Sequence, residues 1–138
     1  MDIVDSGGAS REHPGGSPAN VALGLGRRGL PVSFLSQIGT DARGTQIREH
    51  LEASGVQILA ESFITGNTST ARATIAADGA AQYDFDVVWD LPALQVSARV
   101  VHLGSVAAFI EPGATAVREI VKAAGAEIVT FDPNIRPA

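Results

Sequence analysis

The chain has 138 residues, ten Lys or Arg against fifteen Asp or Glu, a formal net charge of −5 and no Cys. Such a length suits one domain with a genuine core. The missing Cys excludes a disulfide framework and a thiolate zinc site, and the acidic balance argues against a nucleic-acid surface. No apolar run approaches the ~18 residues of a membrane span. The acidic start Met1-Asp2-Ile3-Val4-Asp5 lacks the basic opening and long apolar stretch of a signal peptide. The expectation is a soluble, cytoplasmic α/β or α+β domain with neither nucleic acid nor membrane as partner.

Residues 5–17 are rich in Gly, Ser and charge and read as irregular or edge structure. Ser17-Pro18 then opens a helix, with Ser as the N-cap and Pro at the first helical position. Val21, Leu23 and Leu25 follow as its apolar residues, and Gly29 stands where a left-handed residue ends a helix. Residues 31–38 read as one strand with Val32 and Phe34 on one face. Asp41 caps a second helix, in which Ile47 and Leu51 lie four apart, and Gly55 ends it. Residues 56–59 form a short strand.

Ala71–Ala77 and Ala80–Val88 flank Asp78-Gly79, a two-residue hairpin signal. Asp78, Asp84, Asp86 and Asp90 read as a solvated edge. The last third predicts a strand at residues 100–103 and a helix from Pro112. That helix carries an apolar stripe of Val117, Ile120, Val121 and Ala124 and ends at Gly125, and a further strand covers residues 127–131. This is a βαβ unit and implies parallel pairing. Ligands of such sheets sit beyond the carboxyl ends of strands, where Gly104-Ser105 and residues 132–136 fall.

Gly24-Leu25-Gly26-Arg27-Arg28-Gly29 matches G-x-G-x-x-G, but a dinucleotide site needs a strand before the glycines and a helix after them. Here the order is reversed, so the match is a decoy. Asn67-Thr68-Ser69 reads as a turn. His13, His50 and His102 are scattered and fit no metal or general-base pattern. Gly15-Gly16-Ser17-Pro18-Ala19-Asn20 carries more chemistry. Its glycines admit a ligand close to the backbone, the helix start offers N–H groups, and Asn20 has a donor and an acceptor suited to vicinal hydroxyls. Asp132-Pro133-Asn134-Ile135-Arg136-Pro137 reads equally as an Asx turn or as a strand end where Arg136 meets an anion.

Together the motifs resemble the PfkB (ribokinase-like) carbohydrate kinases. Residues 15–22, then Gly29 after six residues and Gly39 after nine more, follow that family's N-terminal pattern. Gly39-Thr40-Asp41-Ala42-Arg43-Gly44 continues it, and residues 132–137 are similar to the D-P-N-x-R segment found midway along the family's sequences. The forms Gly-Gly-Ser-Pro-Ala-Asn and Asp-Pro-Asn-Ile-Arg-Pro look most like fructokinases. The resemblance covers all 138 residues. It implies an α/β, Rossmann-like three-layer sandwich with a small β-strand lid, and lid strands within 1–16 and 60–90.

It also implies ATP-dependent phosphorylation of a sugar hydroxyl with Mg2+. Asp2, at the end of a first strand, and Gly15, Gly16 and Asn20 would hold the sugar, and Arg136 would stand near the substrate or the transferred phosphate. A homodimer through lid strands would fit. The family's catalytic base and anion hole are expected beyond Ala138, as are its adenine pocket and its magnesium-associated motif. Residues 1–138 therefore look like the sugar-binding half of such a kinase, with an incomplete sheet whose apolar edge awaits a further βαβ unit. The competing expectation is a non-catalytic truncated product, or a sugar-binding or interaction remnant.

Overall fold

The computed structural model describes residues 1–76 and 79–134. Two compact units are present, Met1–Val88 and Trp89–Ala138. In order, the first holds β1 (Asp2–Ser6), β2 (Ala9–His13), α1 (Ser17–Gly26), β3 (Val32–Phe34), β4 (Ile38–Gly39), α2 (Ala42–Glu52), β5 (Val56–Ile58), β6 (Phe63–Ile64), β7 (Thr70–Ile75) and β8 (Ala81–Asp86). The second holds β9 (Val100–Gly104), α3 (Gly113–Ala123) and β10 (Ile128–Asp132).

Gly7 and Gly8 have φ of 58° and 80°. Two successive positive φ values are what a tight hairpin turn needs, and only glycine takes both without strain. β1 and β2 therefore pair antiparallel, where the sequence suggested irregular or edge structure. β1 also pairs parallel with β7, and β7 antiparallel with β8, giving a four-stranded sheet in the order β2-β1-β7-β8. The expected second hairpin is present, with Gly79 at φ 85°. Its ladder reaches Ala76, whose N–H donates to the Ala80 carbonyl at 2.8 Å. Ala77, like Asp78, falls outside the described residues.

Helix α1 starts one position earlier than expected. Gly16 is its N-cap with φ 111°, so Ser17 and Pro18 are already helical and no side chain caps this end. The face that packs inward is Ala19, Ala22, Leu23 and Gly26, so of the apolar residues Val21, Leu23 and Leu25 it includes Leu23. Residues two apart diverge by about 200° around a helix, whereas i, i+3, i+4 and i+7 share one side. Leu25 is exposed, and a Cβ on Gly26 would overlap the Ser54 carbonyl. The helix runs through Gly24, which removes the dinucleotide reading of Gly24–Gly29.

The single strand expected over 31–38 is two. β3 pairs with β5 and β4 with β6, all parallel. Ser62, fully buried, takes the intervening backbone: its Oγ accepts from the Ser36 N–H at 3.1 Å and donates to the Phe34 carbonyl at 3.4 Å. β5 ends at Ile58, and the Leu59 N–H still donates to the Phe34 carbonyl at 2.9 Å, the last bond of the parallel ladder with β3. The core gathers Met1, Ile3, Ala22, Phe34, Ile38, Ile47, Leu51 and Val56. Ile3 and Leu51 are each 1% exposed, and burying a side chain of this size stabilises by about 1.5–3 kcal/mol.

In the second unit β9 and β10 pair in parallel, Val100 opposite Ile128, with α3 between them in sequence. This is the expected βαβ unit. Val117, Ile120 and Ala124 are buried, while Val121 is only partly so. Trp89 locks the start of α3. Its Nε1 donates to the Ala107 carbonyl at 3.1 Å, and its own carbonyl accepts from the Gly113 N–H at 2.9 Å. A Cβ on Gly113 would overlap the indole. Along β10, Ile128, Val129 and Phe131 are exposed.

Asp41 caps α2 as expected, but it does more. Its Oδ1 accepts from the Gly44 N–H at 2.8 Å and from Thr68 Oγ1 at 2.6 Å, and its Oδ2 accepts from the Thr68 N–H at 3.1 Å. Thr68 is buried, so the turn at residues 67–69 is tied to the helix cap 27 residues earlier. These bonds, the Thr68 hydroxyl first, hold the Asp41 carboxyl down at about 2, against an ordinary 3.8. A carboxylate depressed in the folded state stabilises above its unfolded pKa and loses that contribution as pH falls through the folded one. The node is therefore at full strength above about pH 4 and lost towards about pH 2. In denaturant melts the wild-type protein should lose stability across that window more steeply than Asp41→Asn. Asp41→Ala should cost about 2 kcal/mol at neutral pH, since it removes a cap and leaves Thr68 unsatisfied.

Candidate functional site

Strand alternation builds the site. Met1 and Ile3 point into the core, so Asp2 and Val4 stand on the opposite face of β1. Asp2, which the resemblance sets at the end of a first strand, is the first residue of β1, and β1 continues to Ser6 between β2 and β7. The backbone here is pinned: the Met1 amine donates to the Ser69 carbonyl, and the Ala71 N–H donates to the Met1 carbonyl, both at 3.0 Å. Burial pushes the pKa of that amine down.

Asp2 is half-buried and its carboxylate lies directly against Gly15. A Cβ on Gly15 would overlap Asp2 Oδ2 and sit 2.6 Å from its Cγ. The backbone then turns through Gly16 into α1. Asn20 occupies the first turn, its N–H bonded to the Gly16 carbonyl at 3.0 Å and its side chain exposed. Gly15 and Asn20 line one depression together with Pro14, Ala19, Ile47 and His50. The structure thus places Asp2, Gly15, Gly16 and Asn20 around the uncapped start of α1. Among the described residues no hydrogen bond or ion pair engages the Asp2 carboxylate. A half-buried acceptor with free lone pairs, beside backbone N–H groups at a helix start, suits a ligand rich in hydroxyl groups.

Arg136 lies outside the described residues. Within the described part of its segment, Asp132 Oδ1 accepts from the Asn134 N–H at 2.9 Å and Asn134 has φ 48°, the Asx turn that the sequence allowed. His102 is bonded through Nδ1 to Thr130 Oγ1 at 2.9 Å, and His50 lines the depression beside α1.

Sequence reasoning missed the neighbours of Asp2 within the sheet. The register sets His13, Asp2, Ala71 and Phe85 in one row on one face, with Arg11, Val4, Ala73 and Tyr83 in the next. Tyr83 and Phe85 are exposed and stack with ring centroids 6.3 Å apart. The available signal was Gly7-Gly8. A two-residue turn there pairs Ser6 with Ala9, and counting back along both strands brings His13 opposite Asp2. On the other face of β2, Arg43 on the first turn of α2 grips Glu12 through two bonds, Nε to Oε2 at 2.9 Å and Nη2 to Oε1 at 2.5 Å. That guanidinium holds the Glu12 carboxyl below its ordinary value.

A family model described as pfkB family carbohydrate kinase matches residues 3–138. Probable fructokinase-4 of Arabidopsis thaliana is 34% identical over 137 residues, which cover 89% of this chain and 42% of that protein. The chain therefore spans less than half the length of that curated relative. A fructokinase from Vibrio cholerae O395 in apo form superposes with a TM-score of 0.78 at 24% identity, over 98% of this chain and 50% of that one. A structure of the same enzyme holds fructose, ADP and a calcium ion. A putative ribokinase II from E. coli superposes with a TM-score of 0.77 at 26% identity, over 98% of this chain and 50% of that one, and has also been solved with ATP and Mg2+. The fold is thus the α/β, ribokinase-like one.

The contact between Asp2 and Gly15 has a direct test. Gly15→Ala should destabilise the fold by about 1–3 kcal/mol, because its Cβ collides with the carboxylate. In an Asp2→Ala background the nearest Asp2 atom left is Cβ, 3.4 Å away, so the cost of Gly15→Ala should fall below about 0.5 kcal/mol. Equal costs in the two backgrounds would show that this packing is not what demands glycine.

Proposed function

Because the chain belongs to the pfkB family of carbohydrate kinases, we propose that it is the sugar-binding half of an ATP-dependent sugar kinase of the fructokinase kind. The observation that carries this reading is the Asp2 carboxylate, which is held against Gly15 at the start of α1 and has no hydrogen-bond or ion-pair partner among the described residues. Asp2 accepts hydrogen bonds from two sugar hydroxyls. Asn20 donates to one hydroxyl and accepts from another, and the glycines let the ring approach the backbone. The sheet β2-β1-β7-β8 acts as the lid, with Ala71 and Ala73 as its floor and Tyr83 and Phe85 as an apolar wall that sheds water from the ring. Arg136 holds negative charge near the reacting end.

The phosphate donor in this reading is ATP with Mg2+, which supplies the transferred phosphoryl group and neutralises its charge. Among the described residues no three His, Cys, Asp or Glu side chains gather, so they offer Mg2+ no ligand set of their own. No catalytic base is assigned within this chain, and its contribution is to orient the attacking hydroxyl. Among the described residues no helix is long and apolar enough to cross a membrane. A cytoplasmic location and a homodimer formed through the lid sheet, whose edge strands are β2 and β8, belong to the same reading.

Titration calorimetry with fructose on the 138-residue protein tests the assignment. Asp2→Ala should weaken binding about 10- to 100-fold, since hydrogen bonds to a charged group are worth about 1.5–3 kcal/mol. Asn20→Ala should weaken it about 5- to 10-fold. Unchanged affinities in both variants, or no heat with any hexose, would leave the interaction-remnant reading in its place.

A further inference from the structure

His13 is the last residue of β2 and faces Asp2 directly across the antiparallel ladder. Cβ atoms so paired lie about 4.5–5.5 Å apart, and the two side chains share one face of the sheet. Two residues later the backbone brings Gly15 against the same carboxylate. Asp2 is therefore flanked by His13 on one side and by Gly15 on the other. The imidazole is exposed, and among the described residues no hydrogen bond or ion pair engages it. The opposite face of β2 is fixed at the adjoining residue, where Glu12 is gripped by Arg43. The strand that presents His13 is thus anchored from behind.

Building on the sugar-kinase reading above, we infer that His13 is a second sugar-contacting residue, which reads the hydroxyl next to one held by Asp2. The chemistry of the pair is complementary. An ionised Asp2 can only accept, so each hydroxyl that it binds must donate its proton. A neutral imidazole has one donor and one acceptor nitrogen and can supply the donor that Asp2 lacks. Two adjacent hydroxyls fit such a pair, one donating to Asp2 and its neighbour accepting from His13. A site built this way discriminates against sugars that lack either group, because each missing hydroxyl forfeits one of the paired hydrogen bonds.

The test is calorimetry with fructose and a set of singly deoxygenated fructose analogues, on wild type, His13→Ala, His13→Asn and Asp2→Ala. His13→Ala should lower fructose affinity about tenfold, with His13→Asn recovering part of the loss because an amide also donates and accepts. For one analogue, the one lacking the hydroxyl that His13 reads, His13→Ala should bring no further loss. A purely structural role would instead weaken every analogue equally. Melting temperatures of both His13 variants verify that the fold is retained. The inference is overturned if Asp2→Ala weakens fructose binding while His13→Ala does not, or if no analogue relieves the His13→Ala loss. If Asp2→Ala is also silent, the sugar-binding reading itself fails.

Discussion

The first unit depends on one carboxylate. Asp41 caps the start of α2 and grips Thr68 by both backbone and side chain. Around it the backbone is packed so closely that side chains are excluded. A Cβ on Gly44 would overlap the Gly39 carbonyl, and one on Gly39 would meet the backbone of residues 66–68 at about 2.5 Å. Thr68 leads into Ser69 and β7, which accept from and donate to Met1. The position of Asp2 is thus set through a continuous series of bonds that begins at the helix cap. The candidate site sits on β1 and at the start of α1, and the node that fixes β7 beside β1 lies on a different helix.

Much of this was legible because the signals were local. Asp41 ahead of α2, the left-handed Gly55 and Gly125, the stripe on α3 and the Asx turn at Asp132 each require only residues within one or two turns of each other. The reversed order around Gly24–Gly29 was also decisive by itself, since a helix before the glycines leaves no strand to aim a phosphate at. What escaped was non-local. Nothing near residue 36 announces that the buried Ser62 will intercept its N–H and split a strand in two. Nothing near Asp41 names Thr68. The inner face of α1 carries little signal because its apolar residues Val21, Leu23 and Leu25 are spaced two apart, whereas its small residues Ala19, Ala22 and Gly26 follow the helical period. Close approach to β3 and β5 selects small side chains there, and small side chains carry little hydrophobic signal.

The sites named from sequence fared according to the same rule. Gly15, Gly16 and Asn20 lie within six residues and are held together by the local geometry of a helix start. Asp2 joins them only through the β1–β2 hairpin, and so does His13. The scattered histidines appeared unrelated to any carboxylate because separation along the sequence conceals strand partners. The Gly7-Gly8 turn carries that information, and it becomes readable once the two arms are taken as strands despite their Ser, Gly and charge.

The charge of the candidate site bears on the kind of ligand proposed for it. An uncapped helix N-terminus attracts anions, and by itself the start of α1 would suit a phosphate or a carboxylate. Asp2 removes that option. Its carboxylate already lies at Gly15, one residue before the N-cap, where it opposes the approach of a second negative group. The two fields together leave a place that is polar, rich in unmet hydrogen-bonding capacity and unfavourable to an anion. A neutral polyol meets those conditions, because each hydroxyl can donate to Asp2 and accept from an N–H without bringing charge.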